Sequence, residues 1–227
     1  MEKGYRYISL FFAAIASIVF IGFFWSYFSF NPFYNNIPAL IHIHAILMTT
    51  WFIFLIIQPL LIRKKLMKFH RIIGKASYVL VPFILISMII VIQIAQKRKQ
   101  DNIGMYENIF DVSGFAVFYL LAIINKRNVA KHMRYMIITA LILFLPALAR
   151  IYAHYPIIGI IPPLLFSFII IIGLLIYERF HRKFYKPYTV AFFFFLIFIL
   201  SYLFVPQSAI WNKTANKIHH HLVSYNY

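Results

Sequence analysis

The chain has 227 residues, of which 63% are hydrophobic, 20% aromatic and only 12% charged, and its mean hydropathy is +0.82. That balance excludes a water-dissolved domain and makes lipid the expected solvent. The formal charge of +17 would suggest nucleic acid in a soluble protein, but the basic residues sit at the ends of apolar runs, where they meet anionic headgroups, so no nucleic-acid partner is expected.

Seven apolar stretches follow in order, and the sequence predicts an all-α polytopic transmembrane bundle with seven spanning helices. Each needs about 20 apolar residues to cross a core of about 30 Å. The expected spans are 7–30, 38–62, 72–95, 109–124, 129–153, 157–177 and 188–205. The first is closed by turn chemistry at Asn31, Pro32, Asn35 and Asn36. The second opens at Pro38, a residue suited to a helix start. Residues 206–227 read as a polar, poorly ordered tail.

Orientation follows from Lys and Arg in the gaps. Arg63, Lys64, Lys65, Lys68, Arg71 and Lys75 follow the second span; Lys126, Arg127, Lys131 and Arg134 the fourth; Arg179, Arg182, Lys183 and Lys186 the sixth. With Lys3 and Arg6 these belong on the cytoplasmic side, giving a cell-membrane protein with its N-terminus inside and its C-terminus outside. Lys97, Arg98 and Lys99 fall on the opposite side, partly offset by Asp101 and Glu107. Trp25, Trp51 and Trp211 fit interfacial anchors, with packing an equal alternative for Trp51.

Cysteine is absent, which removes disulfides, thiolate zinc sites, iron–sulfur clusters and covalently attached haem. There is no nucleophile motif, no paired-histidine zinc signature, no phosphate loop, and no lysine in 188–205 to carry retinal.

Ionisable side chains inside a span are costly and therefore candidates for function. His44, Asp111, Arg150 and His154 are all expected towards the outer leaflet. Arg150 and His154, four apart, share a helix face. His42 and His44 stand about 200° apart, so only one faces the bundle; His44 is the expected one, heading a stripe with Trp51 and Gln58. Asp111 with Arg150 reads either as an ion pair joining the fourth and fifth helices or as part of a binding site. On the inner side stand His70 and His132.

His70-Arg71-Ile72-Ile73-Gly74 and His132-Met133-Arg134-Tyr135-Met136, the latter trailed by Arg150, resemble the H-R-x-x-G and H-x-x-W-M motifs of a family of predicted bacterial multi-pass membrane proteins of unknown function. Tyr135 stands where that family has Trp. The resemblance covers roughly residues 44–150 and implies a common core of the second to fifth helices.

In layout the histidines are also similar to those of b561-type membrane cytochromes, which implies His44 with His154 and His70 with His132 as ligand pairs. His132 and His154 are 22 residues apart, about 33 Å along a straight helix, which argues against two haems in efficient contact. A b-type haem or a metal at His44 and His154 survives, with Arg150 on a propionate or a quinone oxygen. The expected function is electron transfer or quinone-linked redox chemistry. The alternatives are an accessory or assembly subunit, packing against membrane-protein partners or its own copies as well as the lipid bilayer, and a small transporter using Asp111, Arg150 and His154.

Overall fold

A computed structural model describes residues 7–30, 37–154, 163–181 and 186–224. These are helical almost throughout: α1 Ile8–Phe24, α2 Ala39–Arg63, α3 Met67–Lys99, α4 Asn102–Ile124, α5 Val129–His154, α6 Pro163–Phe180, α7 Lys186–Tyr202 and α8 Ala209–Ser224, with a short 3-10 turn at Phe28–Phe30. Among the described residues, α2, α3, α4, α5 and α6 are long and apolar enough to cross a membrane. The expected seven spans are thus met by five, and α1 and α7, at 17 residues each, are apolar but shorter. At 1.5 Å per residue they reach about 26 Å. The expected turn at Asn31, Pro32, Asn35 and Asn36, the start of the sixth span at 157–162, and Lys3, Arg6, Arg182 and Lys183 lie outside the described residues.

Local chemistry explains the boundaries. α2 ends in paired Schellman bonds, Leu66 N–H to Leu61 O at 2.8 Å and Lys65 N–H to Ile62 O at 3.0 Å, which place Lys65 at φ 60 in the left-handed region. α4 starts at Asn102, earlier than its apolar run suggests, because Asp101 Oδ1 accepts from the Gly104 N–H at 2.9 Å and caps a polar first turn. α3 runs past its apolar stretch into Lys97, Arg98 and Lys99, cations that suit a helix C-terminus. Asn128 Oδ1 accepts from the Lys131 N–H at 3.1 Å as α5 begins.

The sequence 206–227 forms α8 over most of its length, which corrects the expectation of an unordered tail. Two compact units make up the chain, residues 1–88 with 143–160, and 89–142 with 161–227.

In the first unit α2 and α3 form an antiparallel hairpin pinned at both ends by the α2 stripe. His44 bonds Ser87 at 2.9 Å, Gln58 Nε2 donates to His70 O at 3.2 Å, and Trp51 between them is fully buried. Trp51 is thus a core residue. α1 approaches α5 at Gly22, where a Cβ would stand 2.5 Å from the Ala147 carbonyl oxygen.

In the second unit α7 lies antiparallel to α4. Phe194 meets Phe118, Phe198 stacks on Phe110, and Tyr202 OH donates to Glu107 at 3.0 Å. Arg134 on α5 and Glu178 on α6 form a fully buried bidentate ion pair, with N–O distances of 2.8 to 3.1 Å. α8 is fastened by Trp211 Nε1 donating to Asn102 O at 3.0 Å and by His219 Nε2 against Gln96 Oε1 at 3.0 Å.

Candidate functional site

At one end of the first unit the C-terminal turn of α1, the start of α2 and the end of α5 gather the rarest side chains of this sequence. The Arg150 guanidinium lies 4.2 Å from the centroid of the Phe23 ring and donates to Pro146 O at 2.8 Å. That carbonyl belongs to the proline inside α5, and Arg150 reaches it from one turn later. His154, one further turn on, stacks on Trp25 with ring centroids 4.3 Å apart. His42 is bonded to Tyr27 OH at 2.7 Å. His44 lies within electrostatic reach of Arg150. The two α2 histidines thus face different neighbours, as their angular separation requires: His42 turns to the segment after α1, His44 to α3.

The bonding of His44 fixes its tautomer. Ser87 Oγ directs its one hydrogen to Ile84 O at 2.7 Å, so it accepts from the His44 Nδ1–H at 2.9 Å. In the neutral ring Nε2 is then the lone-pair nitrogen, able to take a metal, a hydrogen bond or a proton. A hydrogen-bonded second nitrogen of this kind is what orients ligating and basic histidines.

Of the expected residues, His44, Arg150 and His154 are brought to this end, with Arg150 and His154 exposed and His44 half-buried. The proposed ligands His44 and His154 have separate neighbours, Ser87 and Trp25. Among the described residues no three His, Asp or Glu side chains form a group able to hold a metal ion. Asp111 is buried in α4, in the second unit.

His70 and His132, expected on the inner side, are engaged through a backbone carbonyl and a ring nitrogen respectively. The His70 carbonyl accepts from Gln58, so the glutamine beside Pro59 does satisfy a backbone group, though on α3 rather than on its own helix. A Cβ at Gly74 would meet Gln58 Nε2 at an ordinary 3.7 Å, so space alone does not demand the glycine of the H-R-x-x-G motif. His132 Nδ1 donates to Ala122 O at 2.8 Å, satisfying a carbonyl in the last turn of α4.

Several participants escape a reading of the sequence. Ser87 is one polar residue in a long apolar run, Phe23 is one of many apolar aromatics, and Trp25 reads only as an interfacial anchor. Arg134 stands in a basic gap where it reads as an orientation signal, and Glu178 borders another such gap. The only forewarning for Glu178 is that the chain has just five carboxylates. Compared with known proteins, the chain matches no family model, no curated protein and no solved structure.

Proposed function

We propose that this is an integral membrane protein of a redox system that binds a lipid-soluble quinone at the His44, Arg150 and His154 end of its first unit. The observation that carries the reading is the His44 ring, held by Ser87 so that Nε2 is an acceptor, at the same end of the unit as the cationic donor Arg150. An acceptor and a donor together match the two oxidation states of such a ligand. A quinol hydroxyl donates to imidazole, and a quinone carbonyl accepts from guanidinium. The stacked pair Trp25 and His154 offers a flat aromatic surface, and the exposure of Arg150 and His154 suits a ligand that arrives sideways from the bilayer.

The same reading takes α1 and α7 as crossing helices, giving seven spans with the N-terminus in the cytoplasm. Its support is the antiparallel run of α7 along α4 and the density of Lys and Arg in alternate gaps.

The test is a titration of purified protein with a short-chain quinone and its quinol, followed by optical difference spectroscopy with iron and metal analysis. Saturable binding, weakened up to about tenfold by His44→Ala as expected for loss of one neutral hydrogen bond, supports the reading. Absence of binding in both redox states overturns it. A haem absorption band with stoichiometric iron overturns it in favour of a b-type haem on His44.

A further inference from the structure

The corner between α2 and α3 lies at the opposite end of the hairpin from His44, and its charge is one-sided. Arg63, Lys64, Lys65, Lys68, Arg71 and Lys75 are all exposed. The first unit holds no Asp or Glu among its described residues, and none of the six cations has a described ion pair. The corner is also fixed in place. Schellman bonds close the short connection, and the Gln58 bond to His70 O ties the first turn of α3 to α2.

α3 carries this charge on one face. Ser77, Val81, Ile84 and Met88 are buried and mark the side of α3 that packs. At 100° per residue, Lys68, Arg71 and Lys75 fall within about 60° of one another, turned away from that side. Arg71 Nε donates to Met67 O at 3.3 Å, which leaves the terminal guanidinium nitrogens for an oxyanion. Further along the outward side stand Val79 and Ile86, flanked by Phe69, Ile72 and Phe83, each more than half exposed. One face of α3 is therefore cationic for about 10 Å and then apolar as far as Ile86. With 33 residues α3 measures about 50 Å, longer than a hydrocarbon core, so its charged first turns have room at headgroup depth.

We infer that this face binds one anionic phospholipid, its phosphate among Lys68, Arg71 and Lys75 and an acyl chain along Val79, Phe83 and Ile86. Charge complementarity selects the headgroup, since each Lys or Arg near an anionic surface raises affinity by roughly fivefold. The order of side chains along the face selects a lipid over an acidic protein or a soluble anion. Its cations are followed by side chains suited to hydrocarbon, on a helix long and apolar enough to cross a bilayer. Arg63, Lys64 and Lys65 add attraction without belonging to the face.

The experiment uses the full chain, delipidated in mild detergent and placed in nanodiscs of phosphatidylcholine with or without one-fifth phosphatidylglycerol. Retained lipid is counted by native mass spectrometry, and a phosphatidylglycerol with a photoreactive group in its acyl chain maps the position. The expected result is one retained phosphatidylglycerol per chain, with crosslinks on α3 between Phe69 and Ile86. The variant K68Q/R71Q/K75Q should lose the preference for phosphatidylglycerol by about tenfold or more. R63Q/K64Q/K65Q removes the same charge from beside the face and should keep the retained lipid. An equal loss in the two variants overturns the inference in favour of diffuse attraction. Equal retention of both lipids by wild type overturns it too, as do crosslinks centred on other helices. Displacement by glycerol phosphate alone would make the site one for a soluble anion. An unchanged melting temperature in pure phosphatidylcholine shows that each variant is folded, and if one unfolds, the two wild-type measurements decide the same point. Quinone binding at His44 is read by a different signal, so either proposal can fail without the other.

Discussion

Lys65 shows how much a single backbone angle carries. Its φ of 60 is left-handed, a region that costs an L-residue about 1–2 kcal/mol and glycine almost nothing. The chain stays there because the two Schellman bonds fix the turn into α3. Lys65→Gly should therefore stabilise the protein by about 1 kcal/mol, seen as a higher midpoint in thermal unfolding in detergent; a lower midpoint would mean that the lysine side chain holds the corner. Ser87 makes the complementary point for the site. Ser87→Ala removes the partner that fixes the His44 tautomer and one of the bonds that pin the hairpin, so the expected outcome is weaker quinol binding with a stability loss of about 1 kcal/mol in thermal unfolding. Of these residues the sequence makes His44 legible, because seven-residue spacing to Trp51 and fourteen to Gln58 keeps all three on one face of α2. Ser87 is not legible, since nothing local distinguishes a serine that faces a histidine from one that bonds its own helix, and this one does both.

Helix-to-helix contacts turn on residues whose roles look alike in the sequence. Gly22 and Gly173 both interrupt apolar helices. A Cβ at Gly22 would press on the Ala147 backbone, whereas one at Gly173 would meet nothing within 4 Å. Gly22→Ala should cost roughly 1–3 kcal/mol through overpacking, and Gly173→Ala should gain up to about 1 kcal/mol through helix propensity; thermal unfolding of the two variants side by side checks the contrast. Arg134 and Glu178 are the other instance. Both side chains are fully buried and paired, so removing one partner leaves a charge without compensation. Arg134→Met alone should cost about 3–5 kcal/mol, and R134M/E178M should recover most of it. A double variant as unstable as the single one would show that the pair holds something besides itself. The positions of α2 to α5 are readable from hydropathy, because their apolar runs are long. α8 is not, because its few apolar residues are interspersed with Asn, Lys and His and do not stand out by hydropathy, and it is held by Asn102, Gln96 and Tyr106, more than a hundred residues from their partners.

Across the molecule, five helices among the described residues meet the length and hydropathy needed to cross a bilayer, and the side on which each corner lies follows from the proposed crossing of α1 and α7. Composition makes the membrane legible at once, since almost two-thirds of the residues are hydrophobic. Span number is less legible because 17 residues sit at the lower bound of a crossing helix. Lengthening 7–30 or 188–205 by their flanking aromatics hides that shortfall. Counting crossings between pairs of corners resolves it. Tyr7 and Lys64 flank α1 and α2, so they share a side only if α1 crosses. Gln100 and Gln207 flank α4 to α7 and share a side only if α7 does. The chain contains no cysteine, so Tyr7→Cys, Lys64→Cys, Gln100→Cys and Gln207→Cys each give a single label site without background. In intact cells a membrane-impermeant maleimide should label the cysteines at 100 and 207 and leave those at 7 and 64 untouched until the membrane is opened. Labelling of only one member of either pair would remove a crossing. Labelling of 7 and 64 in place of 100 and 207 would invert the protein, since the basic gaps would then face outward against the bias that ordinarily orients such chains.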